Sequence, residues 1–155
     1  MEVKELGHLV LYVHDLQRSA AFYGEVLGWR RITAQGLPVA AFSSGRTHHE
    51  LLLIEVGPDA QEQPRGRRVG LYHFGLKVAD SDAELRAVLA QVREHGVKLV
   101  GTADHTVTHS LYIEDPDGNE IELYADVPGV DWRSDPDLLL SPIRPLTLEP
   151  AAPSE

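Results

Sequence analysis

Three residues in this chain combine metal-ligand chemistry with strand positions: His8, His73 and Glu122. Each lies in a short β-rich run: Gly7-His8-Leu9-Val10-Leu11-Tyr12-Val13, Tyr72-His73-Phe74-Gly75-Leu76-Lys77-Val78, and the segment near 119–126. Side chains alternate between the two faces of a strand. In the first run Leu9, Leu11 and Val13 form an aliphatic face that belongs under a helix, which leaves His8 opposite with Val10 and Tyr12. In the second, Phe74, Leu76 and Val78 take the helix side, and His73 points the other way with Gly75 and Lys77. In the third, Ile121, Leu123 and Ala125 pack outward while Glu120, Glu122 and Tyr124 point inward. A single strand histidine is more often structural than ligating, and a single strand carboxylate is more often solvated. Convergence changes that balance, because an unpaired carboxylate facing a dry cavity is costly. Two imidazoles and one carboxylate are all satisfied by one divalent cation. That set, with coordination positions left open, suits non-haem iron(II), and manganese(II) accepts it too.

The elements that must position these residues come twice. After the first strand Asp15 caps a helical stretch from Leu16 to Leu27, which Gly28 ends. Strands are expected near 29–35, 38–44 and 49–56. A polar linker, 57–69, follows, and the same order begins again. Asp80 or Ser81 opens a helix with Leu85, Val88, Leu89 and Val92 on one face, ended by Gly96. Strands are expected near 97–103, 108–114 and 119–126, the last two joined by the Asp115-Pro116-Asp117-Gly118 turn. Asp15 stands seven residues after His8 and Asp80 seven after His73, so the two histidines occupy matching repeat positions. The expected fold class is α+β: two tandem βαβββ modules forming a curved mixed sheet around a metal site. One domain would span 1–132, with modules near 5–56 and 70–126. The remainder, 133–155, reads as a Pro-rich C-terminal tail; six of the ten prolines fall after residue 126.

Bulk chemistry narrows the function classes. The chain has 155 residues and a formal net charge of −10. An acidic surface repels phosphate backbones and anionic lipid, so neither nucleic-acid nor membrane partners are expected. The absence of cysteine excludes disulfides, iron–sulfur clusters and thiolate zinc sites. The N-terminus lacks a signal-peptide pattern, and a cytoplasmic protein is the default expectation.

Several stretches together resemble the vicinal oxygen chelate superfamily of glyoxalases, fosfomycin- and bleomycin-resistance proteins and type I extradiol dioxygenases. They are Gly7-His8-Leu9, Asp15 with Phe22-Tyr23-Gly24-Glu25-Val26-Leu27-Gly28, Leu71-Tyr72-His73, and Asp115-Pro116-Asp117-Gly118-Asn119-Glu120-Ile121-Glu122. The resemblance covers about residues 5–132 and is strongest to the extradiol branch, bacterial catechol 2,3-dioxygenases in particular. That branch carries two acid/base histidines and a tyrosine beside its metal. The segment His48-His49-Glu50-Leu51 resembles the one bearing the first histidine, with His49 the better match, and Asp104-His105 resembles the one bearing the second. Tyr112, ten residues before Glu122, matches the tyrosine. His14, His95 and His109 have no such counterpart.

The resemblance implies an iron(II)-dependent dioxygenase that inserts O2 beside the hydroxyls of a small aromatic diol, as a homodimer or higher homo-oligomer. The metal would act as a Lewis acid, His49 or Tyr112 would accept a proton, and His105 and Tyr112 would hydrogen-bond the substrate oxygens. Two rival readings are a glyoxalase-like isomerase or epoxide-opening thiol transferase, which would recruit another carboxylate such as Glu50, and a bleomycin-type sequestering protein, which would need no metal. The chain is shorter than most extradiol enzymes, which hold two such domains.

Overall fold

The computed structural model describes residues 1–148. The chain divides into two compact units, Met1–Arg65 and Gly66–Glu155. Each is α+β, with one mixed sheet and few helices. Among the described residues no helix is long and apolar enough to cross a membrane.

In the first unit β1, Leu9–Val13, runs parallel to β3, Leu51–Glu55, and β2, Val39–Phe42, runs antiparallel to β3. Leu11 and Val13 are buried while Val10 and Tyr12 are exposed, the alternation expected. The Asp15 carboxylate accepts the Arg18 amide at 2.9 Å and opens α1, Leu16–Ala21. The single helix expected to Leu27 changes character at Phe22. Residues Phe22–Val26 form a π turn in which the Leu27 amide donates to the Phe22 carbonyl at 3.1 Å. Gly24 lies inside it, where a residue without Cβ weakens the α geometry.

The strand expected near 29–35 is not formed. Only Arg31 bridges Phe42. The cause is local: the Thr33 hydroxyl accepts the Ala41 amide at 3.1 Å, a side chain taking a donor that a backbone ladder would use.

The second unit is regular. Its four-stranded sheet has the order β4-β7-β6-β5, with β4 His73–Ala79, β5 Leu99–Asp104, β6 Thr108–Glu114 and β7 Glu120–Asp126. Ser81 caps α2, Asp82–Glu94, by accepting the Glu84 amide. Leu85, Leu89 and Val92 are buried, each contributing about 2 kcal/mol by leaving water. A register shift after Lys77 turns Ala79, rather than Val78, into the buried residue at the end of β4.

The β6–β7 turn sets the register of everything that follows it. The Asp115 carboxylate accepts the Asp117 amide at 2.9 Å, the Asn119 amide at 2.7 Å and the Asn119 side-chain amide at 2.8 Å. Gly118 takes φ +83°, which the turn demands.

The tail expected over 133–155 has no core of its own in the sequence. Its described part instead lies along β5: Arg144 and Asp104 exchange backbone hydrogen bonds at 2.9 Å, and the Thr102 hydroxyl donates to the Leu146 carbonyl at 2.7 Å. Leu148 is buried, and residues 149–155 of the expected tail lie outside the described residues.

Candidate metal centre

The register of the second sheet places its polar side chains in rows. Gly75 pairs with Glu122 and Glu122 with Tyr112; one step along, His73 pairs with Glu120 and Glu120 with Glu114. Directly paired residues point to the same face. Ile121, Leu123, Leu111 and Ile113 are fully buried, and the half-buried His73, Glu120, Glu122 and Tyr112 occupy the other side.

On that side His73 and Glu122 are held as two ligands of one ion would be. His73 Nε2 lies 3.4 Å from Glu122 Oε2. Two donors about 2.1 Å from a common divalent ion at a right angle stand about 3.0 Å apart, so the observed gap needs only a small adjustment. The rest of each group is already arranged. The Ser110 hydroxyl donates to Glu122 Oε1 at 2.6 Å, leaving Oε2 for the ion. His73 Nδ1 lies 3.5 Å from Glu120 Oε1, and both atoms are buried without a hydrogen bond among the described residues. A small ring rotation joins them, and an imidazole whose Nδ1–H is given to a carboxylate presents Nε2 to a metal. Glycine at position 75 keeps the flank open, since a Cβ there would stand 3.6 Å from Glu122 Oε2 and 3.3 Å from the Tyr124 ring. The donor set of this face therefore fits a divalent cation. Within the unit, among the described residues, no third imidazole or carboxylate closes on the same point.

Two further expected residues gather at the same carboxylate. His105 Nε2 shares a 2.7 Å hydrogen bond with the Tyr112 hydroxyl and lies 3.8 Å from Glu122 Oε1. Burial, with the Glu122 charge beside it, pushes the Tyr112 phenol well above its ordinary value. Tyr112 is thus a neutral hydroxyl at working pH, a hydrogen-bonding group rather than a resident base. His109 points to the helix side instead, 2.6 Å from Asp82 in the first turn of α2.

In the first unit His8 immediately precedes β1, and its ring centroid is 4.6 Å from that of His49 and 6.3 Å from that of His48. Burial, then the His48 and His8 rings, lower the pKa of His49, which favours its neutral form. Residues 47–50 precede β3 and are not strand, so alternation does not govern them. Glu50 is engaged by its own loop: its carboxylate accepts the Ser44 amide at 2.7 Å and the Ser44 hydroxyl at 2.8 Å, with Arg46 Nε at 3.6 Å. These contacts lower its pKa against the effect of burial.

Comparison with known proteins decides the family. The model of the Glyoxalase/Bleomycin resistance protein/Dioxygenase superfamily matches residues 5–123. The chain belongs to this superfamily. A catechol-2,3-dioxygenase of Bacillus subtilis (strain 168) is 37% identical over 134 residues, 86% of this chain and 46% of that protein. The chain thus spans about half the length of that relative. A lactoylglutathione lyase of Salmonella typhimurium is 30% identical over 131 residues, 76% of this chain and 90% of that protein. Among solved structures, a glyoxalase/dioxygenase from Nostoc punctiforme superposes with a TM-score of 0.66 at 21% identity, covering 80% of this chain and 92% of that one. Superfamily members are mostly enzymes, and a catechol dioxygenase is among this chain's relatives.

Two residues at this site carried no role in the sequence reading. Ser110 shares strand parity with Tyr112, which was signal enough to place it on the site face. Glu120 was placed inward, but its relation to His73 depends on the parallel β4–β7 register, which sequence does not specify.

Proposed function

We propose that this chain is a metal-dependent extradiol dioxygenase that inserts O2 into a catechol-type substrate, with His8, His73 and Glu122 ligating iron(II). The observation that carries the reading is the double use of one carboxylate. Glu122 faces His73 Nε2 through one oxygen, and the other lies within reach of Ser110 and His105, the latter bonded to Tyr112. Metal-ligand chemistry and proton-handling chemistry thus meet at a single side chain. When bound, the cation supplies Lewis acidity that lowers the phenol pKa of a catechol.

The chain's own groups have separable tasks. Ser110 fixes the carboxylate rotamer. Glu120 would fix the His73 tautomer once the ring turns to meet it. Tyr112 and His105 offer hydrogen bonds aimed before charge develops on the substrate oxygens. His49, whose neutral form its surroundings favour, is the group able to accept a substrate proton and return it.

A glyoxalase-like isomerase is the second reading, favoured by the near-complete length match to a lactoylglutathione lyase. Glu50 weighs against it: the carboxylate that such a site would recruit is engaged with Ser44 and Arg46. One experiment separates the two. Protein loaded anaerobically with iron(II) is given a panel of substituted catechols in an oxygen electrode, and in parallel a glutathione hemithioacetal. The proposal expects oxygen uptake with a yellow ring-opened product and no isomerisation. Isomerisation without uptake would replace it with the glyoxalase reading.

A further inference from the structure

The turn that carries His105 is strained and strapped. Thr106 has φ +71°, the sole positive value at a non-glycine position among the described residues. A β-branched residue is an outlier there, and it persists only where its surroundings over-determine it. Three contacts do so. Asp104 Oδ1 accepts the Thr106 amide at 2.7 Å. Arg144 Nε and Nη2 lie 3.1 and 3.0 Å from Asp104 Oδ2. Arg144 Nη2 also donates to the Thr106 hydroxyl at 3.3 Å. The Arg144 backbone exchanges both hydrogen bonds with Asp104 at 2.9 Å, which fixes where its side chain starts. Within the turn the His105 amide donates to the Thr108 carbonyl at 2.9 Å, and the ring so aimed meets Tyr112 at 2.7 Å.

We propose that Arg144 is a positioning residue for His105, acting through Asp104 and Thr106, and that the segment beyond the family-matched region 5–123 thereby completes the site. This rests on the reading of His105 as a site residue. The Arg144 side chain is 60% exposed and, among the described residues, its hydrogen bonds go to Asp104 and Thr106 on either side of His105, so its effect is on where His105 points. A planar guanidinium can hold Asp104 and Thr106 at once. A lysine ammonium reaches the carboxylate as a point charge but lacks the fork.

The test compares full-length wild type with Arg144→Ala and Arg144→Lys. Iron(II) content should be unchanged, because Arg144 is not a ligand. In Arg144→Ala the NMR signal of the 13C-labelled His105 ring should broaden or double, and amide exchange at Thr106 should rise at least about tenfold. For catechol turnover kcat should fall about tenfold with KM within about twofold, the split expected of a misaligned hydrogen-bonding group that acts in the transition state. Arg144→Lys should lie between the two. An unchanged His105 signal and unchanged Thr106 exchange in Arg144→Ala would overturn the proposal. If Arg144→Ala does not fold, a lysine variant with wild-type ring signal, exchange and kcat overturns the fork argument. A mobilised ring in a protein whose wild type turns over no catechol keeps the positioning role and removes the dioxygenase reading.

Discussion

The two units share one plan and differ at the row that matters. In the second unit the row across the sheet reads Gly75, Glu122, Tyr112; in the first, the same register positions read Val10, Leu52, Ala41. Both rows lie two residues after a histidine, His73 in one case and His8 in the other. The first unit therefore offers an apolar row beside its histidine, and its nearby carboxylate, Glu50, is engaged by Ser44 and Arg46. The second offers a carboxylate, an imidazole and a hydroxyl on one row and its neighbour. A repeated fold thus needs few substitutions to make its two copies chemically unlike. The fourth strand follows the same division. It is complete in the second unit as β5, and in the first it is reduced to one bridge at Arg31.

The sharpest way to break this contrast is to erase it. Glu122→Leu gives the second unit the residue that the first carries in that row. Iron(II) affinity should fall by at least about a hundredfold, measured by anaerobic titration. The reverse change, Leu52→Glu, should create no new metal site, because no hydroxyl or second imidazole matches it in that row. Next in size is Tyr112→Phe, which removes the hydroxyl where Ala41 stands in the first unit. Turnover should drop about tenfold to a hundredfold with metal content intact, read by oxygen uptake and metal analysis on the same sample. Glu120→Gln keeps the shape but weakens the partner of His73 Nδ1, and iron(II) affinity should fall about tenfold.

The smallest effect concerns pH. The Thr106 amide, together with Arg144, holds the Asp104 carboxyl below its ordinary value despite burial. A carboxylate depressed on folding contributes stability above its unfolded pKa, near about 3.9, and that contribution is lost as pH falls through the folded value. Thermal melts below about pH 4 should therefore decline more steeply for wild type than for Asp104→Asn.

Much of this was legible in the sequence where strand alternation ran unbroken. β4, β6 and β7 fell where expected; alternation put Glu122 inward, and Tyr112 was indicated by the family resemblance, the β6–β7 register bringing the two to one face. Legibility failed where a side chain competed with the backbone. Thr33 takes the amide of Ala41, so a β-rich stretch makes no strand. It failed again at Lys77, where a register shift exchanged Val78 for Ala79. Arg144 was hidden for a different reason: a Pro-rich segment has no periodicity, and its placement depends on pairing with an edge strand forty residues earlier.

The central claim concerns ligation, and a single titration meets it head-on. Wild type, His8→Ala and His73→Ala are titrated with iron(II) under anaerobic conditions and the bound metal is counted per chain. One tightly held iron in wild type, and none in either variant at the same free concentration, is the predicted result. Undiminished binding in His73→Ala would contradict it and move the metal away from this face.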